Sequence, residues 1–190
     1  MSHPMKSAPA RMRLIAAAMT GFLVFMLVSH QTARNSGTEL VMEVEGYDPR
    51  DIFLGHYAII RTPLAALDLA TLDGDDAFEN HAPVFVTLEI GADGLARPVA
   101  VHQRHPGSGL VAEGRAVGSG DILRARFNIE RYYASRDQAL ALEDMLRQPP
   151  RDGEEDETSD VRLILSLPAS GHLLIKGFEI DGERHIDRLW

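Results

Sequence analysis

The sequence predicts a mainly β protein: an antiparallel sheet or partly open barrel with one packing helix, preceded by an N-terminal transmembrane helix. Three observations carry this expectation. From residue 84 apolar and polar residues alternate, as in Val84-Phe85-Val86-Thr87-Leu88-Glu89-Ile90, and a period of two turns one strand face toward an interior. The alternating segments are separated by Gly91-Ala92-Asp93-Gly94, Gly107-Ser108-Gly109 and Gly118-Ser119-Gly120-Asp121, which is hairpin chemistry. Ahead of them, Lys6, Arg11 and Arg13 precede an uncharged run over residues 14–29. A positive flank before an apolar run orients a membrane segment with its N-terminus in the cytoplasm.

Taken in order, residues 1–13 read as a basic cytoplasmic tail and residues 14–30 as a signal anchor through the membrane. A cleaved signal peptide is the alternative, but Gln31 stands two before Ala33, where a cleavage site needs a small residue. Residues 31–38 are small and polar, a linker, and residues 39–190 form an extracytoplasmic β domain. Leu40, Met42 and Val44 alternate with Val41, Glu43 and Glu45 as a strand with one wet face. Residues 57–60 read as a second, buried strand, interrupted at Pro63, which lacks the N–H of a central ladder. Residues 64–70 fit a helical turn or a ragged continuation of the strand. Asp73-Gly74-Asp75-Asp76 is a solvated acidic loop, without the ligand spacing of a calcium site. Strands over 84–90, 96–102, 110–116 and 122–129 are expected to form a meander.

The expected packing helix opens at Arg136-Asp137-Gln138, carries Leu140, Leu142, Met145 and Leu146 as its apolar stripe, and stops at Pro149-Pro150. The charge run within residues 150–160 reads as a mobile acidic loop. Closing strands follow over 161–167 and 172–180, with Gly177 as a candidate bulge.

Composition narrows the function classes. At 190 residues and 45% hydrophobic, the chain holds one domain with a core. It has no cysteine, so neither a disulfide framework nor a thiolate metal site is available. The net charge is −9, and because residues 1–34 carry four basic residues and no acid, the remainder carries −13. Such a body repels phosphate backbones, which excludes nucleic-acid binding. No cofactor is expected, since no glycine loop of the phosphate-binding or dinucleotide type occurs. No metal is expected either: His102 and His105 fall three apart at a strand end, where such residues face opposite ways. Ser108 between two glycines lacks the strand-to-helix elbow of a nucleophilic serine.

The candidate functional stretch is Asp48-Pro49-Arg50-Asp51-Ile52-Phe53-Leu54-Gly55-His56-Tyr57, a charged turn running into an apolar strand. Asp48 can accept backbone N–H groups ahead of it and Pro49 presets its own φ. Asp48, Pro49, Arg50, Asp51, Gly55, His56 and Tyr57 are therefore the candidate site, as a docking corner or a self-clamped turn. Glu130, Tyr132 and Tyr133 are secondary candidates. Arg50 between the two aspartates holds both ionised, against an acid/base pairing.

On these residues the chain resembles the GDYXXLXY family. The resemblance rests on Asp48-Pro49-Arg50-Asp51 with Gly55 and Tyr57, more loosely on Glu130-Arg131-Tyr132-Tyr133, and on Gly177-Phe178-Glu179-Ile180-Asp181-Gly182. His56, Ile60 and Thr62 stand where the family pattern has Asp, Leu and Tyr. The resemblance implies a membrane-anchored envelope protein, without an established activity, accompanying other membrane proteins.

The functional expectation is an accessory or interaction module in the bacterial inner membrane, its domain in the periplasm. Its partners would be the membrane, through residues 14–30, and another inner-membrane or envelope protein. The alternative is an envelope hydrolase or ligand-binding enzyme using Asp48, Asp51, His56 and Glu130.

Overall fold

The computed structural model describes residues 8–44, 58–118, 120–132 and 161–186. The 48–57 turn, Tyr133, the helix expected over residues 136–148 and the 150–160 acidic stretch lie outside them. Among the described residues the protein is a β structure preceded by one long helix.

Helix α1 (Ala8–Ser36) contains the predicted apolar run and extends it at both ends. It exposes Phe22, Leu23, Phe25 and Val28 alike on its sides, and none of its apolar stretch is buried. Its 29 residues rise about 43 Å at 1.5 Å each, more than the roughly 30 Å of a bilayer core. The helix is long and apolar enough to cross a membrane. Residues 31–38, expected as a linker, are instead mostly helix. Only Gly37 separates Ser36 from strand β1 (Thr38–Glu43). Polar composition suggested slack there, but Arg34 is buried against the domain.

Strands β2 (Ala58–Ile59), β3 (Ala66–Asp68), β4 (Asp73–Gly74), β5 (Pro83–Ile90), β6 (Ala96–His102), β7 (Leu110–Ala116), β8 (Ile122–Arg126) and β9 (Arg131–Tyr132) follow. Strands β10 (Val161–Leu167), β11 (Leu174–Ile180) and β12 (Glu183–Ile186) close the described chain. One sheet has the order β1-β10-β11-β12, and a second, curled into a half-barrel, runs β3-β8-β7-β5-β6-β4. β2 and β9 form a two-stranded ladder. A bridge between Val41 and Leu95 brings β1 against the half-barrel.

The alternation of sequence decides which face is inside. Val84, Val86 and Leu88 of β5, Leu123 and Ala125 of β8, and Leu40 and Met42 of β1 meet Leu163, Leu165 and Phe178 in one core. Burying each such aliphatic side chain contributes about 1.5–3 kcal/mol. β10 is interior on both faces, since Ile164 and Ser166 are as buried as Leu163 and Leu165.

The expected meander is corrected by the order β6-β5-β7-β8. β7 pairs with β5, Val86 opposite Ala112, and not with β6. Residues 103–109 are long enough to cross the end of β5, whereas a tight turn would have forced β7 beside β6. Strand β8 stops at Arg126 rather than at residue 129, because Asn128 adopts a φ of 61°, which no strand accommodates. The acidic 73–76 stretch is tied to β6. β4 pairs in parallel with β6, Asp75 accepts Gln103 N at 2.7 Å, and Gly74 N–Cα stands at a φ of 111°. Gly177 does sit at a bulge: Ile164 pairs with Gly177 and Leu165 with Ile175, leaving Lys176 extra.

Candidate functional site

Two elements hold what is described of the motif-bearing corner. Strand β1 ends at Glu43, and Val44 N donates to Val161 O at 3.3 Å. Past residues 48–57, the β2–β9 ladder pairs Ala58 with Tyr132 and Ile59 with Arg131. Ile60 N donates to Glu130 O at 2.9 Å. The two residues that follow the first sequence block, Ala58 and Ile59, thus pair with Tyr132 and Arg131 of the second.

Of the candidate residues, Asp48, Pro49, Arg50, Asp51, Gly55, His56, Tyr57 and Tyr133 lie outside the described residues. Tyr132 is described through its backbone in β9. Glu130 is described fully, and its carboxylate Oε1 accepts the Phe127 N–H at 2.5 Å. That bond closes the Phe127–Asn128–Ile129–Glu130 turn, in which Asn128 takes the left-handed conformation and Phe127 and Ile129 enter the core. Glu130 is thus a turn residue, and it lines neither of the two grooves described below. Ile60 and Thr62 are both interior, at 5% and 4% exposure, and Thr62 O accepts Ala65 N at 2.9 Å.

One groove of about 370 Å³ opens beside the stems of the corner, between Glu43 at the end of β1, Pro63, Thr71 and Arg97. A second, of about 400 Å³, lies on the outer face of β7 and β8 with His81 and His172 at its rim. Among the described residues no three His, Asp or Glu side chains are grouped to hold a metal ion. His105 accepts Gly107 N at 3.0 Å through Nδ1 and meets the Phe85 ring edge-on at 5.6 Å. It anchors the crossing loop.

The most constructed polar arrangement is the junction of α1 with the sheet, which sequence reasoning missed. Arg34, only 7% exposed, donates from Nε to Ile175 O at 3.0 Å and from its guanidinium to Lys176 O at 2.9 Å. Ser166 Oγ donates to Ala33 O at 3.4 Å, supplying a partner to a carbonyl near the helix C-terminus. Gly37 is required here by space, since a Cβ would fall 2.2 Å from Ser166 Oγ and 2.8 Å from Leu167 C and Pro168 N. On β1, just past the helix, Glu39 reaches over β10 to Lys176 of β11 at 2.5 Å and to Arg184 of β12. The bond from Lys176, with that from Arg184, holds the Glu39 carboxyl below its ordinary value. The one available signal was Arg34 itself, a lone cation ending an apolar helix.

Compared with known proteins, the profile described as GDYXXLXY protein matches residues 19–178, from inside α1 to β11. No curated protein matches the chain, and no solved structure matches it.

Proposed function

Because the chain belongs to the GDYXXLXY family, we propose that it is a membrane-anchored accessory module. In this reading α1 crosses the bacterial inner membrane, the β domain stands on the periplasmic side, and the corner around Asp48–Tyr57 docks another membrane or envelope protein. The observation that carries the reading is the junction: an apolar helix without a wet face continues through one glycine into β1, and Arg34 holds it to β11. A helix apolar all round needs lipid or protein about it. The basic flank Lys6, Arg11 and Arg13 ahead of the apolar run supports the orientation. The enzymatic alternative loses Glu130, whose carboxylate is engaged by Phe127 N.

Two experiments test the proposal. The chain has no cysteine, so a single Ser108→Cys, exposed in the crossing loop, reports sidedness. An impermeant maleimide is expected to label it from the periplasm, and labelling only after lysis sinks the orientation. Crosslinking and recovery of the full-length protein from membranes is expected to bring down a specific membrane protein, lost in Arg50→Ala with the domain still folded. Recovery of no partner by the wild type removes the docking role.

A further inference from the structure

On the outer face of the half-barrel, Arg115 of β7 is the direct register partner of Arg126 of β8. Side chains so placed stand about 5 Å apart at Cβ, and like charges there are destabilising. Neither arginine has a salt bridge among the described residues. Arg115 makes one hydrogen bond, from its guanidinium to His81 O at 3.3 Å. This is an odd choice in a chain with 28 acids and 19 basic residues, where a carboxylate could stand opposite at no cost to the strand.

The two guanidiniums line the groove of about 400 Å³, together with His81, His172, Asn128 and Glu113. Its walls are fixed by hydrogen bonds of backbone N–H groups. His81 N donates to Ala116 O at 3.0 Å, and Gly118 N donates to Asn80 Oδ1 at 2.9 Å. On the other side the turn that bears His172 is pinned by Glu113 N to Gly171 O at 2.8 Å. Three non-glycine residues among those described have a positive φ, and two of them, His81 at 66° and Asn128 at 61°, line this groove. Left-handed backbone at non-glycine residues clusters at ligand sites, where the strain aims a side chain.

We propose that this groove binds a small ligand through a phosphate-type oxyanion held between Arg115 and Arg126. Planar guanidinium forks match such an oxyanion with paired N–H donors. The imidazoles of His81 and His172 and the Asn128 amide add donors at the rim. Glu113 accepts a hydroxyl or ammonium group of the same ligand and disfavours a second anion. The volume suits one small molecule. The oxyanion belongs either to a soluble phosphate ester or to a lipid headgroup, and the chemistry of the groove is the same for both.

The test uses full-length protein in detergent, titrated calorimetrically with inorganic phosphate at constant ionic strength. Saturable one-to-one binding is expected, weakened about tenfold or more in Arg126→Gln and in Arg115→Gln and partly retained in Arg126→Lys. Without phosphate, Arg126→Gln is expected to melt at the same temperature or higher, because a like-charge contact is gone. His172→Ala, an exposed side chain, gives a second reading that does not touch strand pairing, with a smaller loss of affinity. No saturation up to about 10 mM, a millimolar ceiling for any useful site, or equal affinity in wild type and all variants, overturns the proposal. Repeating the titration in nanodiscs separates the sources. Loss of phosphate binding with phosphatidic acid but not with phosphatidylcholine assigns the oxyanion to a lipid, and binding unaffected by either lipid assigns it to a soluble ester.

Discussion

At the scale of single residues, Arg34 has the largest consequence for its size. It ends an apolar helix, yet it is interior, and both of its backbone acceptors lie on β11. Hydrogen bonds from a charged group contribute about 1.5–3 kcal/mol. Arg34→Met is expected to lower stability by about 2 kcal/mol, read as a drop of roughly 4–8 °C in the melting temperature of the detergent-solubilised protein. Gly37→Ala acts at the same place by a different cause. The Ser166 hydroxyl can rotate away from a new Cβ, but the Leu167 and Pro168 backbone at 2.8 Å cannot. Gly37→Ala is therefore expected to cost about 1–3 kcal/mol, and Ser166→Ala combined with it to recover only part. A third residue answers to pH. Asp93 accepts two hydrogen bonds from Arg97, which with the Leu95 N–H bring its carboxyl from 3.8 down to about 2. A depressed carboxyl stabilises above its unfolded value and ceases to do so as pH falls through its folded one. The turn is thus expected to keep its ion pair down to about pH 4 and to lose it toward pH 2. NMR titration checks this, with Arg97→Gln expected to return the Asp93 midpoint toward 3.8.

At the scale of elements, strands were legible and their neighbours were not. The period of two located β5, β6 and β7 because each has one face turned to the core, and β10, interior on both faces, was located by its near-continuous apolar run. Partner choice depends on how the connecting loop runs, and nothing in the alternation of β7 distinguishes β5 from β6 as its neighbour. β12 was missed although Asp181-Gly182 announces it. Both residues have positive φ, 49° and 84°, the backbone of a two-residue hairpin. Gly177 makes that hairpin close, since a Cβ there would fall 1.9 Å from His185 O. Gly177→Ala is expected to detach β12 while β10 and β11 stay paired, seen as lost hydrogen-exchange protection confined to residues 183–186. Of the candidate site, Glu130 was legible as a residue of interest but not in its role. A carboxylate three residues after a backbone N–H closes a turn, and only the fold shows that it does.

At the scale of the whole molecule, two sheets share one core and one entry point. β1 pairs along its full length with β10, bridges to Leu95 in the half-barrel, and receives α1 at its first residue. The apolar helix and the sheet core are thus consecutive pieces of one chain. The long apolar helix was legible in the sequence because hydropathy acts locally, whereas the meeting of β2 with β9 joins residues more than seventy positions apart and left no local trace.

The single glycine between α1 and β1 bears on how such a module would search for a partner. A flexible tether lets a domain sample a volume that grows with its length, and the effective concentration at a distant target follows from that volume. Here Arg34 and Gly37 reduce the volume almost to nothing. On the proposed anchoring, the domain would be presented at one height and one facing, and diffusion in the plane of the membrane and spin about its normal would be the motions left for an encounter. Replacing Gly37 by a long Gly-Ser stretch would exchange that fixed presentation for reach, and the capture of a coplanar partner in the same bilayer would fall as the search acquired a third dimension.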